Sequence, residues 1–283
     1  MKTKVSLFCD KVIEGGWLLA LIVVPLFFNV YSSRVFEPDK LNLLRSIATL
    51  MAVAWLIKWS EGTFGKSSRA KANGTELNLS QKLERFLRTP LVLPTSLLAI
   101  VYILTTITSV VPRISLWGSY QRMQGTYTTL SYIVIFFLVL QNLRRREQLQ
   151  RLIAAIILTS LPISLYGLIQ HYNLDPLPWG GDVSKRVASN MGNAIFISAY
   201  LIMAVPITLE RIVHLHTVAL ERTNKRTKVG FSVLFGFALL LQFWVWVALG
   251  FGRGLVVGAL VIVICGLVAA YLKLPIARFI LVG

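Results

Sequence analysis

GGDVSKRVASNMGNAIFISAY, Gly180–Tyr200, passes from a polar loop into an apolar run without a break. Lys185 and Arg186 stand side by side in the loop, and the uncharged stretch Ile195–Leu209 follows. A basic pair therefore sits at the mouth of an apolar segment of helical length. Two questions follow from it: which side of a membrane the mouth faces, and which anion it meets.

The rest of the chain has the composition that a membrane helix requires. Of 283 residues, 55% are hydrophobic and only 14% are charged, with mean hydropathy +0.68. Soluble domains carry about a quarter charged residues. Uncharged runs approach or exceed the ~18 residues that signal a helix crossing the hydrocarbon core. The expected fold is all-α: a polytopic integral membrane protein of about eight transmembrane helices in a single domain, 1–283. The spans fall at about 15–33, 41–58, 90–111, 126–142, 152–170, 193–210, 230–250 and 255–271. The ten-residue alternation of an outer-membrane barrel is absent from the sequence. The basic head with Lys2, Lys4 and Lys11 precedes an apolar run without a clear small-residue cleavage site, which reads as an uncleaved first helix. Pro25 lies inside that helix, as membrane helices tolerate. Glu37-Pro38-Asp39 has the proline and acids of a helix start.

Net charge is +17. No basic segment carries a nucleic-acid reading motif, and cytoplasmic loops collect Lys and Arg to fix orientation, so no nucleic-acid partner is expected. Most basic residues fall in one alternating set of segments: the N-terminal head, 58–88, 144–151, 211–228, and Lys273 with Arg278. The positive-inside rule places that set, and both termini of this chain, in the cytoplasm. The opposite set is Arg34, Lys40, Arg45, Arg113, Arg122, Lys185, Arg186 and Arg253, against the acids Glu37, Asp39, Asp175 and Asp182. Basic residues there oppose the sorting rule. One explanation is interfacial anchoring. The other is an anionic substrate, since an Arg fork matches phosphate oxygens with paired hydrogen bonds. Arg45 lies inside a span, where a charge faces a cavity or partner, or else snorkels to the interface. Trp117 and Tyr120 suit an aromatic belt.

Cys9 and Cys265 form no disulfide framework, and no metal-ligand spacing or cofactor loop occurs, so neither metal nor cofactor is expected. His214 and His216 read as part of a solvated basic loop. His171, at the end of a span, is a weak candidate for a general base, and a helix-end histidine satisfied by solvent or backbone is the plainer reading. No nucleophile–base signature accompanies it.

Residues 167–206, GLIQHYNLDPLPWGGDVSKRVASNMGNAIFISAYLIMAVP, resemble the bacterial O-antigen ligase and polymerase family. So do WGSYQRMQGTYTTLSY, 117–132, and LGFGRGLVVG, 249–258. Arg186, Gly192 and Asn193 match the family's Arg and its Gly-Asn-Pro-Asn turn, with Ala194 and Ile195 in place of Pro-Asn. Gly252-Arg253-Gly254 stands where the family has Ser-Arg-Gly. The resemblance implies a GT-C-like membrane glycosyltransferase of lipopolysaccharide and polysaccharide biosynthesis in the bacterial inner membrane. Such enzymes move glycan from undecaprenyl pyrophosphate to an acceptor lipid or glycan, outside the membrane and without metal. It makes Arg186, Arg253, Lys185, Arg122 and Arg45 candidates for holding the pyrophosphate. The family's catalytic His lies on a large later loop, so the chain reads as an N-terminal part of a longer protein. Whether it is itself an enzyme stays open. A related branch has been called a bicarbonate transporter, which makes a small-anion transporter or a non-enzymatic membrane protein the alternative.

Overall fold

The computed structural model describes residues 3–32, 35–67, 88–177, 186–217 and 225–248, with the backbone alone at 62–67, 213–217, 225–228 and 246–248. The described residues form helices and turns and no strand. The α-helices are α1 (Lys4–Leu26), α2 (Glu37–Ser67), α3 (Val92–Ile107), α4 (Pro112–Trp117), α5 (Thr126–Asn142), α6 (Arg146–His171), α7 (Ala194–Thr217) and α8 (Lys225–Ala248). A 3₁₀ turn, Ser189–Met191, precedes α7.

Among the described residues, three segments are long and apolar enough to cross a membrane: Glu37–Glu61, Arg146–His171 and Ala194–Ile212. Val92–Ile107, Thr126–Asn142 and Val229–Val245 are apolar but shorter. The described residues are thus all-helical with three candidate spans, where the sequence led us to expect about eight over the whole chain. The reasons are local. The first expected span, 15–33, ends early because the helix stops at Leu26 and the chain turns through Asn29 and Ser32. That helix also starts earlier, at Lys4, and so includes Asp10, Lys11 and Glu14. α3 ends four residues short of 111, where the chain turns into Pro112 at the start of α4. The span expected at 255–271 lies outside the described residues.

The chain divides into two compact units, 1–155 and 156–283, with the division inside α6. In the first unit α1 and α2 pack side by side. Cys9, Ile13 and Trp17 bury against Ile47, Met51 and Ala54, and Leu138 of α5 joins them. Gly16 permits the close approach, because a Cβ there would lie 2.4 Å from Met51 Cγ. Cys9 is a free thiol in this core.

Polar side chains fasten one end of this unit. Thr3 Oγ1 caps α1 by accepting from Ser6 N–H (3.1 Å) and donates to Glu61 (2.6 Å). Lys58 pairs with Asp10 (2.6 Å) and donates to Asn142 Oδ1 (2.8 Å). Trp55 Nε1 donates to Gln141 Oε1 (2.9 Å). Glu14 accepts from Arg151 Nε (2.8 Å) and Gln148 Nε2 (3.0 Å). The start of α1, the end of α2 and the 144–151 turn therefore share one end of this unit. At the other end of the α1–α2 pair Asn29 Nδ2 donates to Asp39 (2.8 Å) and Lys40 Nζ to Pro25 O (3.1 Å).

Glu14 supplies a pH test. Burial pushes its carboxyl up, but hydrogen bonds from Gln148 and Arg151 and the charges of Arg151 and Arg145 together outweigh burial. The group is held below its usual 4.5. A depressed carboxylate stabilises the fold above its unfolded value, and that contribution is lost as pH falls through the folded value. Arg151 is half exposed, so screening keeps the contribution to about 1 kcal/mol or less. Glu14→Gln is expected to be less stable than the parent at pH 7. The gap should close as pH falls through the lowered folded value of the carboxyl, as read by unfolding of both proteins across the acid range.

In the second unit α6, α7 and α8 pack through small and polar residues, as membrane helices do. A Cβ on Gly167 would lie 3.1 Å from Val187 Cγ1, 3.5 Å from Ile197 Cδ1 and 3.6 Å from Val245 Cγ1. Gln242 is fully buried, and its Nε2 donates to Ser160 (2.7 Å) and Thr208 (3.1 Å), one hydroxyl from each neighbouring helix.

Candidate functional site

The turn before α7 is the region the sequence singled out. Arg186 is exposed, and Val187, next to it, is fully buried against the Gly167 notch. Ser189 and Asn190 are buried in the 3₁₀ turn. Gly192 has φ +78°, the left-handed conformation that glycine adopts without a Cβ penalty. Asn193 then caps α7, its Oδ1 accepting from Ile195 N–H (3.0 Å) while its backbone carbonyl accepts from Phe196 N–H (3.0 Å). Glycine reverses the chain here and asparagine satisfies the first turn of the helix.

α6 holds this turn. Ser189 N–H donates to Gln170 Oε1 (2.7 Å), and Ser189 Oγ donates to Ile163 O (2.7 Å). At the end of α6, Tyr166 Oη donates to Asp175 Oδ2 (2.7 Å), Gln170 Nε2 reaches the same oxygen at 3.4 Å, and Asp175 Oδ1 accepts from Leu177 N–H (3.0 Å). His171 closes α6, half-buried, with its ring edge-on to Tyr172 at 5.1 Å.

Arg45 and Arg122 belong to the other unit. Arg45 is 3% exposed. Its Nε donates to Thr128 Oγ1 (2.9 Å), and one terminal nitrogen donates to both Trp117 O (2.8 Å) and Met123 O (2.7 Å). The guanidinium carbon lies 4.9 Å from the Tyr127 ring centroid and 6.0 Å from that of Trp117, within cation–π range. Arg45 therefore ties α2 to both ends of the 117–125 turn and to the start of α5. Of the two sequence readings, a cavity or partner against snorkelling to the interface, the structure carries the first, with a partner made of backbone carbonyls and aromatic faces. Arg122 projects from the same turn and is exposed, as is Arg113 in α4.

The structure thus brings Arg186, Gly192 and Asn193 together in one turn beside the end of α6 that carries His171, and it brings Arg45 to the turn that carries Arg122. Lys185 and Arg253 lie outside the described residues, as do Cys265 and the side chains of His214 and His216. Among the described residues no group of three His, Cys, Asp or Glu could hold a metal ion. Sequence reasoning missed Gln170 and Ser189. Neither carries charge, and only the spacing of Ile163, Gly167 and Gln170 on one helical face hinted that they act together.

Fold and site define an all-helical protein with candidate membrane spans and a basic turn at the entrance of one of them. No protein-family model, curated protein or solved structure matches the chain.

Proposed function

We propose that this chain is an O-antigen ligase-like or polymerase-like membrane protein that handles undecaprenyl-pyrophosphate-linked glycan on the extracytoplasmic side of the bacterial inner membrane. In this reading the chain crosses the membrane about eight times, with both termini of this chain cytoplasmic. Its partners are the lipid-linked glycan and an acceptor lipid or glycan. The observation that carries the reading is the turn from Arg186 to Asn193: an exposed guanidinium seven residues ahead of a capped helix start, on the Gly-Asn of the family-like motif. The positive end of α7 adds to the attraction for phosphate.

Binding of undecaprenyl pyrophosphate to purified protein in nanodiscs tests the proposal. A charge-assisted hydrogen bond contributes about 1.5–3 kcal/mol, so Arg186→Ala is expected to weaken binding roughly ten- to hundred-fold. Arg186→Lys keeps the charge without the fork and should restore part of it. Arg113→Ala serves as the control. Equal affinity for wild type and a folded Arg186→Ala would remove the pyrophosphate site and return Arg186 to interfacial anchoring.

A further inference from the structure

We propose that Gln170 is a positioning residue, which sets Arg186 and the start of α7 by holding Ser189 in a strained backbone conformation. The inference rests on the anion-binding reading of the turn and adds the device that keeps the turn in register.

Ser189 has φ +51° and is fully buried. A non-glycine residue in the left-handed region is strained and persists only where its surroundings over-determine it. Here its N–H and hydroxyl both reach α6, the N–H donating to Gln170 Oε1 at 2.7 Å and the hydroxyl to Ile163 O at 2.7 Å, with Asn190 Oδ1 also 3.1 Å from the hydroxyl. Val187, two residues earlier, packs against Gly167 of the same helix. Ile163, Gly167 and Gln170 form one stripe along α6, and residues 187–189 lie along it. Arg186 is the residue immediately before this fastened segment, and Gly192-Asn193 lies immediately after the 3₁₀ turn. The places of both are therefore set by how firmly Ser189 is held.

Gln170 is itself oriented. It is fully buried, its Nε2 faces Asp175 Oδ2, and Tyr166 Oη donates to that same oxygen. This arrangement settles which amide atom meets Ser189: the nitrogen is turned to the carboxylate, so the oxygen is left for the backbone N–H. Removing the amide leaves a buried N–H without its acceptor and a strained residue without its restraint. Ser189 then relaxes toward negative φ, and Arg186 moves with it.

Strain gives the test its discrimination. Glycine takes φ +51° at no steric cost, so Ser189→Gly should make the turn independent of Gln170. Undecaprenyl pyrophosphate binding in nanodiscs and amide hydrogen exchange across 186–193 are measured on four proteins: wild type, Gln170→Leu, Gln170→Leu/Ser189→Gly and Arg186→Ala. Gln170→Leu is expected to weaken binding about tenfold, as for one lost buried hydrogen bond, and to speed exchange in the turn. The double variant is expected to return binding, and exchange of the other amides of the turn, to within about twofold of wild type, while the N–H of residue 189, still without its acceptor, exchanges faster. Gln170→Met replaces Gln170→Leu should the latter not fold. Wild-type binding and exchange in the Gln170 variant would overturn the proposal. So would weakened binding that Ser189→Gly does not restore, because a residue that only fills space is not rescued by relieving strain elsewhere. Faster exchange restored by Ser189→Gly, with Arg186→Ala binding as wild type, would support the clamp and overturn the anion reading of the turn.

Discussion

Gly118→Ala is expected to destabilise the first unit by about 3 kcal/mol or more, through strain and overpacking together. Gly118 has φ +84° and ψ 168°, a conformation open to glycine alone. The added Cβ would lie 2.5 Å from Gln124 N and from Met123 C, which are backbone atoms and cannot swing aside. Gly125 faces it across the same crossing, where a Cβ would lie 2.4 Å from Gly118 N and Leu116 O. The two glycines let segments 116–118 and 123–125 touch backbone to backbone. Gly15→Ala is the matched control. A Cβ at Gly15 meets nothing within 4 Å, and alanine is the better helix former by about 1 kcal/mol, so that variant should be slightly more stable. Denaturant unfolding in micelles reads both. A Gly118→Ala protein within 0.5 kcal/mol of wild type, by that order-of-magnitude scale, would mean that the turn is not held as described.

Arg45→Ala is expected to have the second large effect, about 3 kcal/mol. It removes three hydrogen bonds and two aromatic contacts at once and strips both ends of the 117–125 turn of a shared donor. Arg45→Lys should recover less than half. An ammonium keeps the charge but cannot present a planar fork to acceptors spread over two sides. Unfolding in micelles gives the stability, and limited proteolysis of the turn gives the local consequence. A loss of less than about 1 kcal/mol on truncation would return Arg45 to a side chain whose head finds water.

These two residues also show how far the sequence could be read. Apolar runs placed the helices well: 126–142 was expected and α5 has those bounds, because uncharged residues between a glycine and an arginine cluster leave little choice. α1 was misjudged at both ends. Asp10 and Glu14 look like the polar head of a span, yet they lie within the helix because Lys58 and Arg151 neutralise them from elements far along the chain. Periodicity does not reveal such partners. Arg45 was recognised as a costly charge, but its acceptors are main-chain carbonyls, which every residue possesses and no sequence singles out. At the candidate site Arg186 and Gly192-Asn193 were legible because charge and turn chemistry mark them. Gln170 and Ser189 were not, since an uncharged amide and a strained serine differ from ordinary neighbours only in their geometry.

The attachment of Arg45 also bears on how the chain is made. Its hydroxyl partner, Thr128, lies 83 residues later in the sequence. Ribosomes add roughly 5–20 residues per second, so α2 leaves the ribosome some 4–17 s before the acceptors for its guanidinium exist. Its Glu37–Glu61 segment is also the least apolar of the three candidate spans. An arginine without partners in hydrocarbon costs about 2.5–3.5 kcal/mol on insertion scales. For a segment that enters a bilayer, that interval leaves Arg45 without these acceptors, and burial of its head waits until Trp117, Met123 and Thr128 have followed it.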